Sequence, residues 1–154
     1  MAAGSEDYWF EDMPVGRVLR SARSIRMERD RMVAFAAEFD PQPAHLSEEE
    51  AAGSQFGVFC ASGWHTGSAS MRLVAETLRI ANGGMGIGAD QLRWPRPVLF
   101  GDELHVQIEV LAARPSRSQP GRGIVTMRIT SLNQKNETVQ ELISIVLMPM
   151  RSPA

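Results

Sequence analysis

The chain has 154 residues, 44% of them apolar and 22% charged, with a net charge of −2. That length suits one domain with a sizeable core, expected over residues 1–154 with 1–7 as a flexible tail, and the slightly acidic balance argues against a nucleic-acid partner. The longest apolar run, residues 142–150, is too short to span a bilayer, the acidic N-terminus lacks the apolar stretch of a signal peptide, and a lone Cys60 suits a reducing compartment, the cytoplasm.

Tyr8-Trp9-Phe10 forms an aromatic cluster that predicts packing against the body of the protein. Gly16 to Met27 mixes Val18, Leu19 and Ile25 with four arginines and reads as one exposed or edge strand. From Glu28 the period changes: Met32, Val33, Phe35, Ala36 and Phe39 recur at helical spacing. That helix stops near Phe39, because Asp40 precedes a proline and is biased out of the α region. Pro43 imposes the same restriction on Gln42, so Asp40–His45 reads as a stiff, extended turn. Ser47-Glu48-Glu49-Glu50 then has the pattern of an N-cap followed by first-turn carboxylates, opening a short helix that ends around Gly53.

Phe56 to Cys60 reads as an apolar loop. After Gly63 a long helical pattern runs from Trp64 to about Ala81, with Arg72, Glu76 and Arg79 as its polar stripe. So much of its circumference is apolar that burial is expected all round, and Asn82-Gly83-Gly84 is suited to end it. Beyond that point the chain reads as β. Met85–Arg93 is a strand; Leu104, Val106, Ile108 and Val110 alternate with polar residues, as do Val125, Met127 and Ile129. A turn rich in Arg, Ser, Pro and Gly (114–123) joins those two strands. Asn133–Glu137 predicts a hairpin, and Thr138–Met148 a central strand covered on both faces. Helices early and an antiparallel sheet late make an α+β protein with one buried helix.

Two features could carry chemistry. A carboxylate and an imidazole, Asp40 and His45, lie five residues apart in the proline-stiffened turn and could share a water molecule. An isolated Asp/His pair is more often structural, with the Asp capping a turn and the His satisfied in place. Two ligands without a third are too few for zinc, so no metal is expected. Gly63, at the start of the long helix, would let a substrate oxygen approach unpaired backbone N–H groups, although a glycine at a helix start commonly serves backbone geometry alone.

Taken together, Phe35-Ala36, Phe39-Asp40-Pro41-Gln42-Pro43-Ala44-His45-Leu46, Phe56-Gly57 and Ser62-Gly63-Trp64 resemble the MaoC-like dehydratases, the hot-dog-fold group that includes the (R)-specific enoyl-CoA hydratases. Asp40, Pro43 and His45 match the hydratase motif Asp-x-Asn-Pro-x-His, and Gly63 matches the family's glycine. The resemblance implies a five- or six-stranded antiparallel sheet wrapped around a long central helix, working as a homodimer or larger homo-oligomer. It implies an acyl-CoA thioester as substrate and no further cofactor. Asp40 and His45 would activate water for addition to a 2-enoyl double bond, or run the reverse dehydration, while the Gly63 N–H would stabilise the enolate-like thioester oxygen.

This chain departs from the family where Gln42 stands in place of Asn and Ser62 in place of a frequent His. With Trp64 and His65, both bulky and next to Gly63, these residues are the expected substrate-binding set. The resemblance also allows a thioesterase on the same fold, or a thioester-binding protein without catalysis. Elsewhere, Gly84-Met85-Gly86-Ile87-Gly88 imitates a dinucleotide fingerprint but follows a helix and opens a strand, the reverse of what that motif needs.

Overall fold

The computed structural model describes residues 6–151; the first five residues of the expected tail lie outside that range. Asp7 is anchored, with its Oδ1 2.7 Å from Arg79 Nη2, and Tyr8 forms a parallel bridge with Ile80.

Six strands form one antiparallel sheet in the order β1-β4-β5-β6-β3, with β2 also pairing on β4. They are β1 (Val18–Arg20), β2 (Ile25–Arg26), β3 (Met85–Arg93), β4 (Glu103–Pro115), β5 (Arg122–Leu132) and β6 (Thr138–Pro149). The helices are α1 (Arg29–Phe39), α2 (Pro43–Leu46), α3 (Glu48–Ala52) and α4 (Gly63–Thr77). This is the hot-dog arrangement, a curved sheet holding one long helix against its inner face. The period-2 alternation of β4 and β5 produces the contact: Val106, Ile108, Val110, Val125, Met127 and Ile129 point inward and meet Leu73, Val74 and Leu78. Each such side chain, fully buried, stabilises the fold by about 1.5–3 kcal/mol. β6 lies between β5 and β3, as its apolar run predicts.

Four expectations about local structure are corrected. Gly16–Met27 forms two short strands rather than one; Ser21 leaves the ladder and its hydroxyl takes the Val106 N–H at 3.0 Å. Asp40–His45 is extended only as far as Gln42, because Pro43 occupies the first turn of α2, where its missing N–H costs nothing. The central helix ends at Thr77, not Ala81. Leu78 leaves helical geometry (φ −112°, ψ 78°), since the following backbone pairs with Tyr8. Finally, α4 buries one face only. Thr66, Ser70, Leu73 and Val74 are buried, whereas Trp64 and Met71 remain 60% and 55% exposed. The Arg72–Glu76 pair forms at i,i+4, but Arg79 bonds Asp7 instead, and Arg23 supplies Glu76 with its second partner. The two guanidinium groups, Arg23 first, hold the Glu76 carboxyl down at about 2.

Candidate active site

The backbone brings the two chemical features of the sequence together. Asp40 caps the C-terminus of α1, with its N–H donating to the Ala36 carbonyl at 2.9 Å and its own carbonyl accepting from Gln42 N–H at 2.8 Å. The proline-started turn of α2 then carries His45 inward, leaving it 6% exposed. His45 Nδ1 lies 2.7 Å from the Cys60 carbonyl oxygen. A carbonyl only accepts, so Nδ1 carries the hydrogen and, in the neutral ring, Nε2 presents a lone pair. That Nε2 stands 3.6 Å from Asp40 Oδ2, too long for a direct hydrogen bond and suited to a shared water.

The third component is the start of α4. Ser62 is the N-cap; its Oγ accepts the Trp64 N–H at 3.2 Å, and its carbonyl takes the His65 and Thr66 N–H groups at 3.0 and 3.1 Å. The Gly63 N–H has no hydrogen-bond partner among the described residues. Asp40, His45, Gly63 and Trp64 line one cavity of about 450 Å³, closed further by Phe56 and Trp94. An acceptor pair and a free backbone donor thus share a partly apolar chamber.

The need for glycine at position 63 has a packing cause as well. A Cβ there would lie 2.5 Å from Trp94 Cε2 and 2.8 Å from Cδ2 and Cζ2. Trp94 cannot swing away freely. Its Nε1–H donates to Gln140 Oε1 at 2.9 Å, Gln140 is buried, and the indole meets Trp64 edge-on at a centroid separation of 5.3 Å.

The remaining expected site residues divide. Ser62 is fully buried and donates its hydroxyl to Asp40 Oδ2 at 2.7 Å, so it contacts the pair rather than the cavity. Gln42 is exposed, serves as N-cap of α2 through its backbone alone, and does not line the cavity. His65 projects away into a separate groove, stacked on Phe35 at 4.9 Å and 10°. One helical position separates Trp64 from His65, about 100° of rotation, which sends the two side chains to different sides. The sequence marks Cys60, Trp94 and Gln140 only weakly as site residues: a carbonyl is invisible in sequence, and only a glutamine amid apolar residues of β6 marks Gln140. Burial pushes the Cys60 thiol above its ordinary range, so it stays protonated and packs rather than reacts.

His65 yields a testable consequence of its own. Its Nδ1 is buried without a partner among the described residues, and desolvation, with Arg31 nearby, depresses its pKa below the ordinary 6.5. The unfolded chain therefore binds the proton more readily, and stability falls as pH drops below 6.5. His65→Phe keeps the stack on Phe35 and removes the unpaired nitrogen, which costs about 1–3 kcal/mol when buried. Thermal melts should show the variant at least as stable as the parent above that pH and less sensitive to acid below it; equal acid sensitivity would assign the effect elsewhere.

Comparison with known proteins yields four likenesses of direct use. The family described as "MaoC like domain" matches residues 11–133. The Bacillus subtilis protein YdeM is 32% identical over 132 residues, covering 85% of this chain and 92% of YdeM. Among solved structures, the MaoC-like dehydratase of Rhodospirillum rubrum superposes with a TM-score of 0.88 at 47% identity, covering 94% of this chain and 99% of that one. The unliganded (R)-hydratase PhaJ1 of Pseudomonas aeruginosa gives a TM-score of 0.72 at 27% identity, over 94% and 88% of the two chains.

Proposed function

The chain belongs to the MaoC-like domain family, and from that membership we propose that it is a hydro-lyase acting on 2-enoyl-CoA and 3-hydroxyacyl-CoA thioesters. One observation carries the reading: the Asp40 carboxylate, the lone pair of His45 Nε2 and the unpartnered Gly63 N–H line the same cavity. A water bridging Oδ2 and Nε2 from the cavity side donates a hydrogen to each acceptor, which leaves its oxygen lone pair directed at the substrate. His45 Nε2 takes one proton as the water oxygen bonds to C3 of the enoyl group. The electron pair of the double bond moves toward the thioester carbonyl, whose growing negative charge the Gly63 N–H meets at the start of α4, where the helix dipole favours it. The dyad returns the proton to C2, and the enzyme is restored. Water adds without net oxidation or reduction, so the proposed reaction, with the CoA thioester as its substrate, calls on no cofactor.

Mass spectrometry of the product tests this reading. A 2-enoyl-CoA incubated with the protein should gain the mass of one water with the thioester intact; release of free CoA, or an unchanged substrate, would count against it.

We assign a second copy of this chain to the open side of the fold. Among the described residues β3 pairs only with β6, and eight of its nine residues are exposed, Met85 and Ile87 at 53% and 51%. An edge strand with unpaired backbone groups invites pairing. Beside it, Met71, Val74, Ala75, Leu78 and Val146 line an apolar hollow of about 540 Å³. Light scattering should give a dimer or a larger assembly, reduced to monomer by Ile87→Asp; a monomeric parent protein would refute the assignment. No helix of the described residues is long and apolar enough to cross a membrane, and the buried free thiol of Cys60 suits a reducing compartment such as the cytoplasm.

A further inference from the structure

The geometry points to Ser62 as a positioning residue for Asp40, an inference that rests on the hydratase reading above. A serine hydroxyl has one hydrogen and two lone pairs. The Trp64 N–H occupies a lone pair of Ser62 Oγ at 3.2 Å, so the hydroxyl hydrogen is free to point at Asp40 Oδ2, 2.7 Å away. The direction of both bonds is thereby set, running from the first turn of α4 through Oγ to the carboxylate. Ser62 is fully buried, so water does not compete for either bond.

Oδ2 is the oxygen that stands 3.6 Å from His45 Nε2, whereas Oδ1 has no protein partner among the described residues. Without the Ser62 hydroxyl, nothing on the protein side fixes the rotation of this carboxylate. Asp40 is only partly covered, with 23% of its side chain exposed, and would turn toward solvent. The same serine therefore does two jobs: it caps α4, the helix that carries Gly63, and it aims the carboxylate at the water shared with His45. The Asp/His pair and the thioester-oxygen donor are thus held in fixed relation by one side chain. This is also where the chain departs from the family motif, which frequently has His at the position.

Three substitutions separate the jobs. Ser62→Ala removes both, Ser62→Thr keeps both, and Ser62→Asp keeps a cap acceptor for the Trp64 N–H but sets a second carboxylate against Asp40. With crotonyl-CoA as the probe, Ser62→Ala should lower kcat roughly 10²-fold, the scale of a misplaced catalytic group, and leave KM unchanged. Ser62→Thr should recover most of that loss. Ser62→Asp should turn over no faster than Ser62→Ala and melt below the parent, because its carboxylate is buried against that of Asp40. Recovery of kcat in Ser62→Asp would mean that only the cap matters and would overturn the inference, as would an unchanged kcat in Ser62→Ala. Crystal structures of the parent and Ser62→Ala give a readout that needs no turnover. Asp40 Oδ2 should leave its place beside His45 Nε2 in the variant, and an unmoved carboxylate would refute the role even if crotonyl-CoA proved not to be a substrate.

Discussion

Asp40→Asn and His45→Gln are each expected to slow hydration of a 2-enoyl-CoA by about 10²–10⁴-fold, the usual contribution of a positioned acid or base. The two losses should not add in the double variant, because both groups hold the same water across a 3.6 Å gap. Asn at position 40 retains an oxygen that can accept the Ser62 hydroxyl, so the fold and the α4 cap should persist while the charge is lost. Gln at position 45 abolishes the ring whose Nδ1–H is committed to the Cys60 carbonyl at 2.7 Å. Some loss of stability should accompany it, since that buried carbonyl then depends on the new side chain for a donor. Steady-state rates alongside thermal melts separate the two effects. Full activity in both variants would remove the dyad from the mechanism.

Gly63→Ala is the second large effect. The added methyl would sit 2.5 Å from Trp94 Cε2, and Trp94 is pinned by the buried Gln140 and by Trp64. Overpacking of this kind costs about 1–3 kcal/mol. Displacement of the Gly63 N–H should also lower kcat by about 10²–10³-fold, as loss of an oxyanion donor does. Trp94→Ala combined with Gly63→Ala supplies the control. With the indole gone the clash is absent, so adding Gly63→Ala to Trp94→Ala should cost much less stability and rate than adding it to the parent. Parental kcat and melting temperature in Gly63→Ala would contradict the clash from which both losses follow.

Much of the site could be read in the sequence because it is local. Two prolines restrict Asp40 and Gln42 before any tertiary contact forms, and the spacing that brings Asp40 near His45 lies within a single turn. The alternation in β4 and β5 likewise declares its buried face residue by residue. What escaped depends on the rest of the molecule. Trp94 and Gln140 lie on segments far from Gly63 in the chain, and only the assembled sheet sets the indole over that glycine. The end of α4 is not marked in the sequence, because Leu78, Ile80 and Ala81 continue the apolar period, while pairing with Tyr8 draws the backbone out of the helix. The open face of α4 is hidden in the sequence for a related reason. Trp64 and Met71 are apolar like Leu73, yet periodicity does not distinguish a face packed on the chain's own sheet from one left open. His65 was expected beside the site on proximity to Gly63, and the helical rotation carries it elsewhere.

The most direct test mixes crotonyl-CoA with the parent protein and with Asp40→Asn, following enoyl absorbance and free thiol in the same cuvette. The account predicts rapid loss of the enoyl signal without thiol release in the parent, and about 10²-fold or more slower loss in the variant. Thiol release would identify a thioesterase, and tight binding with no change in either signal a non-catalytic thioester-binding protein; each would contradict the assignment of Asp40 and His45 to the activation of water.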